Sequence, residues 1–224
     1  MTTTRRREND FYETAPWQTR ALLDWHPSIK NAARILEPCV GEYAIAKVLR
    51  QFCGREESDP PTCRFELVTN DLDTRRRADL HMDAAGPGFW DLLDVRYDQA
   101  HDGTDRAGAI DWMVTNPPFN VAFDILRHAR FKRPNMNVAM LLRRSFLEPT
   151  EDRGYWLQRN PPQRAIVLPR YSYTSRRENV SDLLGEKEVV IPGGNDSLTC
   201  EWLLWCNDWQ GRVPTVIAAD AKDR

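Results

Sequence analysis

Short, mostly apolar segments alternate with amphipathic segments along this chain. A strand that is covered on both faces is apolar nearly throughout, whereas a surface helix shows apolar side chains every three or four residues. Seven short apolar segments predict strands, at residues 33–37, 65–69, 111–115, 137–142, 165–168, 201–205 and 213–218. Helical spacing is found at residues 16–25, 42–52 and 123–131. This alternation predicts an α/β fold with a doubly wound, mostly parallel sheet.

The composition indicates one folded domain. The chain has 224 residues, of which 41% are hydrophobic, and 31 lysines and arginines nearly balance 33 acids. These values exclude a disordered chain and a histone-like basic protein, although a local basic patch can still bind nucleic acid. We expect a flexible basic arm at residues 1–10 and a single domain at residues 11–224. Residues 86–108, where glycine and aspartate interrupt the apolar pattern, are expected to form a surface excursion.

The cysteines and histidines give no sign of a metal site. The five cysteines form no Cys-x-x-Cys pair and the four histidines are scattered, so we expect neither a zinc site nor a disulfide framework. Apolar runs are far shorter than the about 20 residues of a membrane span, and no secretory signal follows the first methionine. We therefore expect a cytoplasmic protein with no metal and no membrane partner. The oligomeric state cannot be derived from the sequence.

Polar residues follow the predicted strands, where open α/β sheets bind their ligands. Glu37 ends the first strand, and Gly41 four residues later allows a close approach of the backbone to a ligand. Asp71 lies at the tip of the second strand, and Asp83 closes a further turn. An acid in such a place accepts hydrogen bonds from ribose hydroxyls. A solvated acid in a turn is the alternative interpretation of both aspartates.

The segment Asn116-Pro117-Pro118-Phe119 follows the third predicted strand and is more specific. Its two prolines fix the backbone and remove two N–H donors. An amide oxygen, backbone carbonyls and an aromatic face remain, and together they suit a planar NH₂ group. A structural Asn-Pro turn after a strand is the alternative.

These residues resemble those of the S-adenosylmethionine-dependent amino-methyltransferases, above all the phage-type DNA adenine-N6 methyltransferases, with Asn116–Phe119 as the catalytic motif. Residues 37–41 resemble the family's cofactor turn, Asp71 its ribose-binding acid and Asp83 the acid beside the cofactor's adenine. The resemblance implies a Rossmann-like methyltransferase sheet with an antiparallel C-terminal strand, and S-adenosylmethionine as cofactor. The cofactor-binding residues that it implies are Tyr12, Thr14, Pro16, Glu37, Cys39, Gly41, Asp71 and Asp83. Tyr43 departs from the family, which usually has a second glycine at this position.

The resemblance implies methyl transfer to the exocyclic N6 of adenine in DNA. Asn116 and the Pro117 carbonyl would accept the two hydrogens of the amine, and Phe119 would stack on the base. A base inside a duplex must be flipped to reach such a pocket. We expect Tyr173 to form a second aromatic wall, with Tyr171 as the alternative. An RNA adenine-N6 methyltransferase, a protein glutamine-amide methyltransferase and a catalytically silent nucleic-acid-binding relative remain as alternative functions.

Basic residues are concentrated in the second half of the chain. Residues 125–180 contain twelve lysines and arginines but four acids, in a chain whose net charge is −2. The arginines predicted to contact DNA phosphates are Arg143, Arg144, Arg170, Arg176 and Arg177. A solvated basic surface is the alternative. Only 56 residues follow residue 168, so we expect no large separate target-recognition domain and a short or relaxed target sequence.

Overall fold

A computed structural model describes residues 13–53, 65–98, 109–148, 150–170, 175–182, 185–192, 199–206 and 215–218. The helices are α1 (Pro16–Trp25), α2 (Ala44–Cys53), α3 (Pro87–Leu93), α4 (Ala122–Lys132) and α5 (Glu151–Arg159). The strands are β1 (Arg34–Glu37), β2 (Glu66–Thr69), β3 (Trp112–Thr115), β4 (Asn137–Arg143), β5 (Arg164–Val167), β6 (Ser175–Asp182), β7 (Gly185–Pro192), β8 (Cys200–Trp205) and β9 (Thr215–Ala218). Short turns of 3-10 helix follow α1, at Pro27–Asn31, and β4, at Arg144–Leu147.

Seven of the described strands form one sheet in the order β2-β1-β3-β4-β8-β5-β9. Strand β8 is antiparallel to both neighbours, β4 and β5, and all the other pairs are parallel. The chain moves from β1 to β2 on one side and then crosses to β3 on the other side. The carboxyl ends of β1 and β3 therefore form a topological switch point, where folds of this kind bind ligands. The predicted doubly wound sheet with an antiparallel C-terminal strand is confirmed.

Helices cover both faces of the sheet, because its strands are apolar on both sides. On one face, α1 and α2 pack through residues such as Leu22 and Leu49 against the side chains of β1, β3, β4 and β8. On the other face, α3 and α4 pack through residues such as Trp90 and Leu126. Alternate residues of each strand enter the two cores, as shown by Ile35 on the first face and Leu36 on the second.

The segment predicted as a surface excursion begins instead with a buried helix. Phe89, Trp90 and Leu93 of α3 are all at most 1% exposed, and the Trp90 indole N–H donates to the Ala84 carbonyl at 2.9 Å. One side of α3 thus belongs to the core, whereas Pro87, Gly88 and Asp91 are exposed. Three apolar side chains within one short helix suffice to bury it, although a segment of this length gives no clear helical period. Residues 99–108 lie outside the described residues.

Two further elements are absent from the sequence-based prediction. Helix α5 is largely polar, with Trp156 and Leu157 packed against the core. Strands β6 and β7 form an antiparallel hairpin in which Ser175 pairs with Pro192 and Asp182 with Gly185. The hairpin is inserted between β5 and β8. Because β5 ends and antiparallel β8 begins at the same edge of the sheet, both ends of this insertion start from the edge that also carries Asn116.

Asn70 joins the loops at the switch point. Its side chain is fully buried, and its amide nitrogen donates to the carbonyls of Pro38 at 2.9 Å and Met82 at 3.0 Å. Its amide oxygen accepts the Met82 N–H at 3.0 Å. Its backbone carbonyl also accepts the Val40 N–H at 2.9 Å. One residue thereby fixes the turn after β1 to the segment that precedes Asp83.

Asn70→Ala should lower the free energy of unfolding by about 3 kcal/mol, because it leaves buried backbone groups of Pro38 and Met82 without their partner. Chemical denaturation measures this loss. Asn135→Ala is the matched control, since Asn135 is exposed in a turn, and it should change stability by less than about 0.5 kcal/mol. Equal losses in the two variants would contradict a structural role for the Asn70 amide.

Candidate active site

One cleft lies at the switch point of the sheet. It is a shallow cleft that is open to solvent. It is lined by Glu13, Thr14, Glu37, Cys39, Val40, Glu42, Ala44, Ile45 and Asn116. Three segments that are distant in the sequence therefore meet here: the residues before α1, the turn after β1, and the loop after β3.

The turn after β1 is held by a carboxylate from the next strand. Gly41 adopts a left-handed backbone with φ of 52°, and its N–H donates to Asp71 Oδ2 at 2.8 Å. Asp71 Oδ1 accepts the Asp73 N–H at 2.9 Å, so two backbone amides orient the Asp71 carboxylate. Tyr43 is also left-handed, with φ of 63°, which is strained for a residue with a Cβ atom. Two residues of the turn therefore have the left-handed backbone that favours glycine, but only Gly41 is a glycine.

Glu37 is a buried acid in the wall of the cleft. Glu37 is 1% exposed. Its Oε2 atom has no hydrogen-bond partner among the residues that the structure describes. Burial raises the pKa of Glu37 well above its ordinary value, and the negative charge of Asp71 adds to this increase. A hydrogen bond from the Ala46 backbone and the positive charge of Arg50 lower the pKa but do not cancel the effect of burial. An unpartnered buried carboxyl oxygen is costly, and Glu37 carries this cost at a position that lines the cleft.

Cys39 is a half-buried free cysteine in the wall of the cleft. Burial and the negative charge of Asp71 raise the pKa of Cys39 to about 12. The thiolate is the nucleophilic form of cysteine, so Cys39 contributes to the shape of the cleft and supplies no nucleophile at neutral pH.

The loop after β3 places Asn116 in the cleft and Phe119 beside it. The Asn116 amide nitrogen donates to Thr14 Oγ1 at 3.0 Å. Pro117 is buried, and Phe119 packs against the cores on both faces of the sheet. The guanidinium carbon of Arg143 lies 4.5 Å from the centroid of the Phe119 ring, which is a cation–π contact.

The remaining predicted site residues are more scattered. Pro16 is the exposed first residue of α1, and Asp83 is exposed and accepts the Ala85 N–H at 2.9 Å. Neither of them lines the cleft. Arg144 and Arg170 are exposed, and Arg176 and Arg177 lie in β6. Tyr12, Tyr171 and Tyr173 lie outside the described residues.

Some contributing residues were not predicted from the sequence. Glu13, Glu42 and Ile45 line the cleft, and Asn70 holds its loops together. Asn70 directly precedes the predicted ligand acid Asp71, and an asparagine at a strand end can satisfy both donors and acceptors of neighbouring loops. That position was a usable signal. The contact of Arg143 with Phe119 has no signal in the sequence, because it depends on the pairing of β3 with β4.

Within the described part of the chain, no group of three or more His, Cys, Asp or Glu side chains is arranged to hold a metal ion. The same residues include no helix of the length and hydrophobicity that crossing a membrane requires.

The sequence matches no family model and no curated protein. The structure is similar to a protein from Vibrio vulnificus YJ016 that is described as a modification subunit of a type I restriction enzyme, with a TM-score of 0.51 and 9% identity over 93% of this chain and 46% of that chain. This chain thus spans about half the length of that protein, and the likeness shows a shared fold.

Weaker similarities include two proteins described as methyltransferases. One is an S-adenosylmethionine-dependent O-methyltransferase from Thermotoga maritima, with a TM-score of 0.40 and 12% identity over 89% of this chain and 69% of that chain. The other is the plantazolicin methyltransferase in complex with S-adenosylhomocysteine, with a TM-score of 0.36 and 9% identity over 86% of this chain and 82% of that chain.

Glu37→Gln should stabilise the protein at neutral pH but not at pH 4. An acid whose pKa is raised by folding keeps its proton in the folded state, whereas the unfolded chain loses it, so stability falls as pH rises above the unfolded pKa. Glutamine removes this penalty. Thermal unfolding of both proteins between pH 4 and pH 8 measures the effect. A constant difference across this range would show that ionisation of Glu37 is not the cause.

The Tyr43→Gly variant should be more stable than the Tyr43→Ala variant. At most positions the alanine variant is the more stable of the two. A left-handed backbone costs a residue with a Cβ atom about 1–2 kcal/mol, and glycine avoids this cost. Tyr43→Gly should therefore exceed Tyr43→Ala by about 1 kcal/mol in unfolding free energy. Both variants lose the contact between Arg50 and the Tyr43 ring, so the comparison isolates the backbone. A higher unfolding free energy for Tyr43→Ala than for Tyr43→Gly would indicate that the backbone at position 43 is not left-handed.

Proposed function

We propose that this protein transfers the methyl group of S-adenosylmethionine to the exocyclic N6 of adenine in DNA, with the target base flipped into a pocket formed by Asn116, Pro117, Pro118 and Phe119. The observation that carries the proposal is that one cleft at the switch point is lined by residues from both predicted parts of the site. This cleft combines the turn after β1, which has the form of a cofactor turn, with Asn116 from the loop after β3.

The residues of the cleft fit S-adenosylmethionine. This molecule carries positive sulfonium and ammonium groups, and Glu37 offers a carboxyl oxygen that has no hydrogen-bond partner in the described part of the protein. Asp71 does not line the cleft but holds the turn that does, and its carboxylate, oriented by the Gly41 and Asp73 amides, is suited to ribose hydroxyls. When bound, the cofactor supplies an electrophilic methyl group.

The loop after β3 supplies the groups that activate the amine. The lone pair of an adenine amine is delocalised into the ring, which makes the nitrogen a poor nucleophile. Acceptance of both amine hydrogens by the Asn116 oxygen and the Pro117 carbonyl localises that lone pair on nitrogen. Stacking on Phe119 holds the base plane, and correct positioning supplies much of the rate. The proton leaves after methylation, when the nitrogen has become acidic.

Three observations support DNA as the substrate. The exposed Arg144 follows the strand that ends beside the cleft, and Arg170 follows β5 at the same edge of the sheet. The hairpin of β6 and β7 is inserted at that edge and carries Arg176 and Arg177. A two-stranded ribbon of this kind fits the major groove of DNA. The protein of similar fold from Vibrio vulnificus is described as a modification subunit of a restriction enzyme.

The contact of Arg143 with Phe119 assigns this arginine a role other than simple phosphate binding. A guanidinium on the ring of Phe119 covers part of the aromatic surface on which the base is proposed to stack. We therefore expect Arg143 to form one wall of the base pocket, while Arg144 and Arg170 remain the candidates for phosphate contacts.

Incubation with radiolabelled S-adenosylmethionine and separate samples of DNA, RNA and protein tests the function, and N6-methyladenine in DNA is the expected product. Asn116→Ala should lower methyl transfer by about 100-fold or more while leaving the cofactor Kd within about threefold. Asp71→Ala should instead weaken cofactor binding, as measured by calorimetry. Label in RNA or in a protein glutamine would identify a different substrate, and Asn116→Ala with the wild-type rate would exclude the mechanism.

Arg176→Ala and Arg177→Ala test whether the hairpin contacts DNA phosphates. Loss of one phosphate contact lowers the slope of log K against log salt by about 0.9. We expect a lower slope in the double variant than in the wild type. An unchanged slope would exclude both arginines as phosphate contacts.

A further inference from the structure

We propose that Thr14 is a positioning residue, whose hydroxyl fixes the orientation of the Asn116 side-chain amide so that its oxygen faces the target amine. This inference rests on the proposed function. Thr14 is 4% exposed, and its Oγ1 accepts a hydrogen bond from Asn116 Nδ2 at 3.0 Å across 102 residues of sequence. Both residues line the same cleft.

The orientation of this amide decides whether the site works. A carboxamide presents an acceptor on one edge and two N–H donors on the other, and a half-turn about the bond from Cβ to Cγ exchanges them. An amine that must donate its hydrogens would meet a second donor if the Asn116 amide were turned. Because Thr14 accepts from the nitrogen, the oxygen lies on the opposite edge of the group.

Thr14 is itself held in place by the start of α1. The Ala15 N–H donates to Gln18 Oε1 at 2.9 Å, and the Gln18 N–H donates to the Ala15 carbonyl at 3.0 Å. The Gln18 carbonyl accepts the indole N–H of Trp202 at 2.7 Å, and Trp202 is a fully buried residue of β8. These hydrogen bonds connect the centre of the sheet to Ala15, the residue that follows Thr14 in the chain.

Three variants test this role in methyl transfer to mixed-sequence DNA. Thr14→Val replaces the hydroxyl by a methyl group of similar size and should lower kcat on the order of tenfold or more, with the cofactor Kd changed less than about threefold. Thr14→Ser keeps the hydroxyl and should retain most of kcat. Thr19→Val is the matched control: Thr19 is fully buried in α1 and its hydroxyl has no hydrogen-bond partner in the described part of the chain, so kcat should not change.

Nuclear magnetic resonance measures the amide directly, whatever the substrate. The side-chain NH₂ signals of Asn116 in nitrogen-15-labelled protein are assigned by their loss in Asn116→Asp. They should exchange slowly with solvent in the wild type and in Thr14→Ser, and several-fold faster in Thr14→Val.

The inference would be overturned if Thr14→Val kept the wild-type kcat or left the exchange of the Asn116 amide unchanged. It would also be overturned if the loss in that variant were confined to cofactor affinity, because the hydroxyl would then act on the cofactor. Failure of the wild-type protein to methylate DNA would instead refute the proposed function. In that case, slow amide exchange that depends on the Thr14 hydroxyl would still establish the hydrogen bond that fixes Asn116.

Discussion

The buried side chain of Asn70 is the interaction on which the arrangement of the cleft depends. Parallel strands bring their carboxyl ends to one edge of a sheet, but they do not determine how the loops at that edge lie relative to one another. Asn70 determines this at the switch point, because its amide bonds both the turn after β1 and the segment around Met82. The Asn70 side chain bonds only backbone groups of Pro38 and Met82 in these contacts. Other side chains in these loops can therefore be substituted while the backbone path of each loop stays the same. Asp71 is the next residue, and its hydrogen bond with the Gly41 N–H depends on the two loops being held in this relative position.

Two energetically costly features of the protein lie beside the cleft. Among the described residues, Oε2 of the buried Glu37 has no hydrogen-bond partner, and Tyr43 has a strained backbone. Strain and desolvation of this kind persist only where the rest of the fold provides enough stability to support them. Their position supports the assignment of this edge as the functional one independently of the motif at Asn116. The stability that the core provides offsets these costs, which fits the proposed binding of a charged cofactor.

The sequence predicted the main elements of the sheet, because short apolar strands and the helical period of α1 are local patterns, and the bounds of α1 agree with the prediction. It also predicted that Glu37, Asp71 and Asn116 follow strands that meet at one edge. It indicated a short helix at residues 89–93 but not its burial, which depends on packing by few side chains, and it did not predict the hairpin of β6 and β7, whose alternation of polar and apolar residues is weak. The hydrogen bond between Thr14 and Asn116 was also beyond local patterns, since only the packing of α1 against the sheet brings the two residues together.

The position of β8 affects the order in which the molecule is completed. This strand lies between β4 and β5 in the interior of the sheet, although it is encoded near the end of the chain. Its Trp202 supports Gln18 across 184 residues of sequence. During synthesis, the ribosome therefore releases α1 and β1 to β5 well before the strand that joins β4 to β5. The nascent chain has no finished cleft until β8 inserts. Such a topology has a high contact order and folds slowly, so the proposed methyl transfer requires that β8 has been synthesised and has entered the sheet.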